Sequence, residues 1–256
     1  MKNYFRMLAV AAGMVVATTP FNSCKKGDSN DEKGEDEEIV EVASTLPDSI
    51  KNGSDFYIIF LDEASADLGD KVKEPIMLRD YDVWPTGETL EAGESLGVNS
   101  WGAPEEYITW VVSGGLGWNG GGIIAVLDEF ETIPDLSPIM EDGFYFHFAI
   151  KSPSNQTNVG WTLIFYSEAA DAVEYYFGPM SGKPADVLYG GNYAHDGEWH
   201  HFEIPVSELA AEGYSWSEPL SDPGGRRYLL GYQNPSHTLG AELNLDALFF
   251  YKKPAE

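Results

Sequence analysis

The residues with the most specific chemistry in this sequence are large aromatic rings set among glycine, proline and small polar side chains. Trp84 stands in Asp-Val-Trp-Pro, Trp101 in Asn-Ser-Trp-Gly, Trp118 in Gly-Trp-Asn-Gly, Tyr193 in Gly-Asn-Tyr-Ala and Trp216 in Tyr-Ser-Trp-Ser. A flat ring in such a setting can stack on the apolar face of a pyranose while nearby amides and carboxylates bond its hydroxyls. These five are therefore candidate carbohydrate-binding residues. Each ring can bury roughly 150 to 250 Å² of surface, so leaving several uncovered without a ligand is costly, and the core is the competing destination for any one of them.

Other chemistries are poorly supplied. His195, His200 and His201 match no zinc-ligand spacing, and His200 and His201, as neighbours on a strand, point to opposite faces. Phosphate-binding loops, nucleophile elbows and metalloprotease motifs do not occur in the sequence. Glycoside hydrolysis requires two carboxyl groups about 5 to 10 Å apart. Asp128-Glu129-Phe130-Glu131 is the dense carboxylate cluster of the folded part, and it reads as a solvated strand end entering a proline-containing loop. A lyase would need a base beside an arginine, and Arg226-Arg227 is the only arginine pair. No catalytic residue is expected, and a non-catalytic protein is the preferred reading.

The elements that would carry the rings are strands. Phe144-Tyr145-Phe146-His147-Phe148-Ala149-Ile150 alternates between an apolar and a mixed face, and Leu243 to Tyr251 does the same. Further strands are expected at Phe56–Leu61, Tyr81–Trp84, Tyr107–Val112, Ile123–Leu127, Gly160–Tyr166, Val173–Phe177, Trp199–Pro205 and Tyr228–Tyr232. Loops are expected at Asn155, Gly178, Gly190-Gly191 and Asp222 to Gly225. Helical signals are short: Asp62–Leu68, Ser137–Glu141 and Ser207–Ala211. Many short strands joined by Gly/Pro turns predict an all-β fold, a jelly-roll β-sandwich of two antiparallel sheets with a few short helices.

Charge and the single cysteine bear on compartment. With 15 Lys and Arg against 42 Asp and Glu, the formal net charge is -27, which excludes nucleic acid as a partner. Cys24 is the only cysteine. It follows Lys2 and Arg6, an apolar run from Met7 to Val16, and the small residue Ser23, an arrangement that reads as a lipoprotein signal peptide over residues 1–23 with Cys24 as the lipid-attachment site. A free thiol or an intermolecular disulfide is the alternative for a lone cysteine in an exported chain. The apolar run is shorter than the about 20 residues that a membrane-spanning helix needs. Residues 24–53 form an acidic tether, with few apolar residues between Asp28 and Glu41, and residues 54–256 form one domain.

Two resemblances follow from these residues. Phe21-Asn22-Ser23-Cys24, with the acidic stretch Asp28 to Glu38 after it, resembles the export signal of surface lipoproteins of the Bacteroidetes, although Phe21 stands where an aliphatic residue is usual. Gly197-Glu198-Trp199-His200-His201-Phe202-Glu203-Ile204-Pro205-Val206 and Leu243 to Phe250, together with Gly117 to Gly122 and Gly160 to Phe165, resemble the galactose-binding-like jelly rolls of carbohydrate-binding modules. The resemblances imply a lipid-anchored outer-membrane protein facing out from the cell, with glycan as partner. An outer-membrane transporter and other surface lipoproteins are the partners implied beyond it. The second resemblance also implies a structural calcium ion held by Asp246 with Asp62 or Glu63, hard oxygen ligands of the kind calcium prefers; the alternative for Asp246 is a turn cap or a lysine partner. An adhesive protein that binds another protein is the rival to glycan binding, and a hydrolase or lyase the third reading.

Overall fold

A computed structural model describes residues 46–61, 63–73, 80–84, 90–114, 119–126, 135–167, 172–216 and 227–254. Twelve strands are named among them: β1 Ser54–Phe60, β2 Asp80–Trp84, β3 Leu90–Leu96, β4 Glu106–Val112, β5 Gly120–Val126, β6 Phe144–Lys151, β7 Trp161–Tyr166, β8 Ala172–Phe177, β9 Leu188–Gly191, β10 His200–Pro205, β11 Arg227–Gln233 and β12 Glu242–Lys252. Two short α-helices, α1 Asp48–Lys51 and α2 Val206–Ala211, and three 3₁₀ turns complete the set. Among the described residues no helix is long and apolar enough to cross a membrane.

The strands form two six-stranded sheets. The first runs β10-β6-β12-β4-β3, with β1 joined to β12, and the second runs β2-β5-β11-β7-β8-β9. Alternation explains the packing between them: Ile108, Trp110, Phe146, Phe148 and Leu245 of the first sheet meet Ile123, Leu163, Phe165, Phe177 and Tyr232 of the second in one apolar core. Phe146 meets Phe165 edge to face at 5.1 Å between ring centres, and Trp110 meets Tyr232 at 5.4 Å. The all-β sandwich is thus present, with one departure from two purely antiparallel sheets: β9 pairs parallel to β8.

β3 and β9 depart from the sequence reading. β3 is a glycine- and glutamate-bearing strand, Leu-Glu-Ala-Gly-Glu-Ser-Leu, at the edge of its sheet, where charge rather than alternating apolarity is tolerated. In β9 the Gly190-Gly191 pair was expected in a loop, yet a Cβ at Gly190 would lie 2.3 Å from Phe177 Cζ, so glycine there permits close approach between neighbouring strands.

The two outer faces differ. The outer face of the first sheet carries a second apolar layer, in which Leu46, Ile50, Phe56, Ile58 and Leu68 cover Ala247, Phe249 and Tyr251. β12 is accordingly buried on both faces, which is why its sequence is nearly continuously apolar. Leu46 and Ile50, at 2 % and 4 % exposed, fall in the stretch expected to be tether, so the folded body starts before residue 54. Among the described residues no second apolar cluster forms on the outer face of the second sheet, although Thr162, Ile164 and Tyr176 on that face are buried.

Candidate functional site

Strand register lays out that second face. Asp82 pairs with Gly122, Gly122 with Gly231, Gly231 with Ile164 and Ile164 with Glu174, giving one row across five strands. The adjacent row runs Trp84, Gly120, Gln233, Thr162, Tyr176 and Tyr189. The direction of these rows is fixed by Gly121: a Cβ there would meet Trp110 Cζ3 at 2.2 Å in the core, so Gly120 and Gly122 face out.

Trp84 lies across this glycine floor. Added Cβ atoms at Gly120, Gly122 and Gly231 would approach Trp84 Cε3, Cζ2 and Cη2 at 3.2, 3.0 and 3.1 Å. Glycine at three positions on two adjacent strands therefore makes the shallow bed in which one indole rests. The half-buried ring is held by its neighbours: its Nε1–H donates to the Tyr228 hydroxyl at 3.3 Å, and Tyr228 donates in turn to the Asp82 carboxylate. Tyr228 and Tyr166 stand at nearly right angles to the indole, with centres 5.1 and 6.4 Å away, and Tyr166 lies 5.7 Å from Tyr228. Burial pushes the Tyr166 hydroxyl up to about 12, so it stays protonated and able to donate at neutral pH.

The other expected site residues are dispersed. Tyr193 and Trp216, each 5 % exposed, belong to the core, and Tyr193 shares a 2.9 Å hydrogen bond with Ser152. Neither can serve as a platform, because a ring closed in the core offers no face to a ligand. Trp101 lies on the opposite outer face, against His147 and His201 at 5.5 and 4.5 Å, so it cannot share a ligand chain with Trp84. Trp118, Asp62 and Cys24 lie outside the described residues, as does the side chain of Glu63. Asp246 is buried, and its two oxygens accept the backbone N–H groups of Ser100 and Ala247, each at 2.7 Å. That is a structural role: Asp246 fastens the loop before β4 and caps a bulge in β12, where Ala247 takes a φ of 52°. Among the described residues no group of three metal-ligating side chains converges.

Tyr166, Tyr228 and Asp82 are the members that sequence reasoning missed. The signal was present as two i, i+2 pairs: Asp82 with Trp84 on one strand, and Gly120 with Gly122 on the next. His200 and His201 do point to opposite faces, His200 to Asp196 at 3.0 Å and His201 to His147 at 3.3 Å.

No family model matches the sequence, and no curated protein matches it. Solved structures with a similar fold include a family 30 carbohydrate-binding module, with a TM-score of 0.46 and 13 % identity over 78 % of this chain and 89 % of that one. A family 11 carbohydrate-binding module of a cellulosomal cellulase of Clostridium thermocellum gives a TM-score of 0.38 and 14 % identity over 72 % and 92 %. An exo-beta-agarase gives 0.43 and 11 % over 72 % of this chain, which spans 24 % of the agarase's length.

Proposed function

We propose that this chain is a surface lipoprotein, anchored through Cys24 to the outer membrane, that binds carbohydrate without catalysis on the outer face of its second sheet. The observation that carries the reading is the Trp84, Tyr228, Tyr166 and Asp82 cluster on a glycine bed, with its half-buried indole on the sheet face where no second apolar cluster forms among the described residues. An indole face with a hydroxyl and a carboxylate beside it is suited to a sugar ring, which has an apolar face and a rim of hydroxyls. The side chains in these rows include carboxylates at Asp82 and Glu174 and no described base, which favours a neutral glycan over a uronate or sulfated one. Thr162, Ile164 and Tyr176, further along the rows, are buried, so the accessible part is the Trp84 end over β2, β5 and β11, where strands about 4.8 Å apart give room for a short stretch of glycan.

Asp82 and Glu174 are four strand spacings apart, roughly 19 Å, too far to act as a hydrolytic pair. Single stacking contacts support affinities on the order of micromolar to millimolar, and display of many copies on a membrane adds avidity. In this reading the protein holds polysaccharide at the surface as an accessory to an outer-membrane transporter. The rival, an adhesive contact with another protein, has one feature in its favour: Leu96 and Val98 are exposed beside the edge strand β3. Calorimetric titration with soluble polysaccharides, comparing the protein with Trp84→Ala and Leu96→Ser, separates the two; the glycan reading fails if no polysaccharide binds.

A further inference from the structure

Two loops cross one end of the sandwich side by side, residues 152–160 from β6 to β7 and residues 234–241 from β11 to β12. Between them lies a cleft of about 360 Å³. We propose that this cleft is a second binding site, separate from the Trp84 face, for a small neutral saccharide.

The lining defines the ligand. Asn155, Gln156, Thr157, Asn158 and Thr238 supply amides and hydroxyls, while Leu239 supplies exposed apolar surface and Val159 and Ala241 are buried at the floor. None of these residues is charged, in a chain with a net charge of -27. A charged ligand would be desolvated there without a counter-charge, and a wholly apolar one would strip water from amides without replacing their hydrogen bonds. A sugar hydroxyl both donates and accepts, as do the amides and hydroxyls of the lining, and the C–H face of the ring matches the Leu239 side chain. The volume lies near the lower end of small-molecule pockets, which run from about 300 to 1,000 Å³, and suits one or two rings rather than a long chain.

The walls are built in advance. Gln156 clamps the two loops, donating through Nε2 to the Gly240 carbonyl and accepting through Oε1 from the Glu242 N–H, each at 2.8 Å. Buried Asn234 accepts from the Thr238 N–H at 2.8 Å and the Ser236 hydroxyl at 3.2 Å, and donates to the Gly160 carbonyl at 2.9 Å. Buried Asn119 accepts from the Asn234 N–H at 3.1 Å and donates to His237 Nδ1 at 2.6 Å, holding His237 at a φ of 50° that few side chains adopt. This order leaves Leu239, at the rim, 66 % exposed. Fixing a loop so firmly while an aliphatic side chain stays in water fits a surface prepared for a ligand, since preorganisation lowers the ordering cost of binding.

The test is a two-dimensional NMR titration of the full chain with cellobiose, maltose and lactose, and separately with glucuronic acid. Residues 156–159 and 238–241 should shift with at least one neutral disaccharide and not with the acid. The shifts should persist in Trp84→Ala and vanish in Asn158→Leu combined with Thr238→Val, two exposed positions, with an unchanged spectrum outside the two loops as the control for the fold. No shift with any disaccharide, equal shifts with the acid, or loss of the shifts in Trp84→Ala would each overturn the proposal. Binding here while the Trp84 face stays silent would leave this site standing and defeat the other.

Discussion

The indole N–H of Trp84 points at the hydroxyl of Tyr228, 3.3 Å away, and the two rings stand at 87°. With Tyr228 donating to Asp82, one hydroxyl fixes both the ring that would stack and the carboxylate that would take a sugar hydroxyl. Tyr228→Phe should therefore lower polysaccharide affinity several-fold while costing about 2 kcal/mol of stability, since it removes two hydrogen bonds with a usual net worth of about 1 kcal/mol each. Titration calorimetry and urea unfolding measure the two effects separately.

Trp84→Ala should weaken polysaccharide binding by about thirtyfold or more, since truncating a central tryptophan at an interface commonly costs about 2 kcal/mol or more. Trp101→Ala should do the reverse. Its ring packs on His147 and His201 away from the site, so affinity should hold while the melting temperature falls. Equal losses of affinity in both variants would contradict the assignment of the site to one sheet face.

The glycine bed can be tested from both faces of the second sheet, at Gly231 of β11 and Gly121 of β5. A Cβ at Gly231 would sit 3.1 Å from both Trp84 Cη2 and Tyr166 Cε2, so Gly231→Ala should tilt the indole and weaken binding with modest loss of stability. At Gly121 the Cβ would lie 2.2 Å from Trp110 Cζ3 and 2.7 Å from the Asp82 carbonyl oxygen, where the core cannot give way. Gly121→Ala should cost about 3 kcal/mol or more by overpacking. Near-ultraviolet circular dichroism and thermal melts distinguish the two outcomes.

His147 gives the fold a pH dependence. The ring is 2 % exposed, its Nδ1 donates to the Ala247 carbonyl at 2.9 Å, and burial drives its pKa from 6.5 down to about 4. Between those values the unfolded chain binds a proton that the folded chain refuses. Stability from this group is therefore full above pH 6.5 and declines as pH falls towards 4, by on the order of 3 kcal/mol. His201, held down by burial, works in the same sense, and Asp246, pushed up by burial, opposes it at the acid end. Glu203 and Lys253 also face the ring, with opposing effects on its charge. Urea midpoints from pH 7 to pH 4 should fall more steeply for the protein than for His147→Asn; parallel curves would show that His147 carries none of the slope.

Sequence patterning located ten of the strands because period-2 alternation follows directly from a sheet with one face in a core. It failed at β3, where an edge strand carries glutamate and glycine, and at β9, where glycines answer to Phe177 rather than to a turn. The aromatic candidates divide for the same physical reason. A Gly-rich or polar neighbourhood marks where a ring has room, but not whether that room opens to solvent, as at half-buried Trp84, or is closed within the core, as at Trp216. Register across β2, β5 and β11 decides which glycines share a face with Trp84, and that pairing is long-range information that no local window holds.

The most direct measurement is a glycan array probed with the full chain and with Trp84→Ala side by side. Retention on one class of neutral polysaccharide, lost in the variant, is the expected result. A blank array, or binding that Trp84→Ala leaves unchanged, would contradict a carbohydrate site on the second sheet.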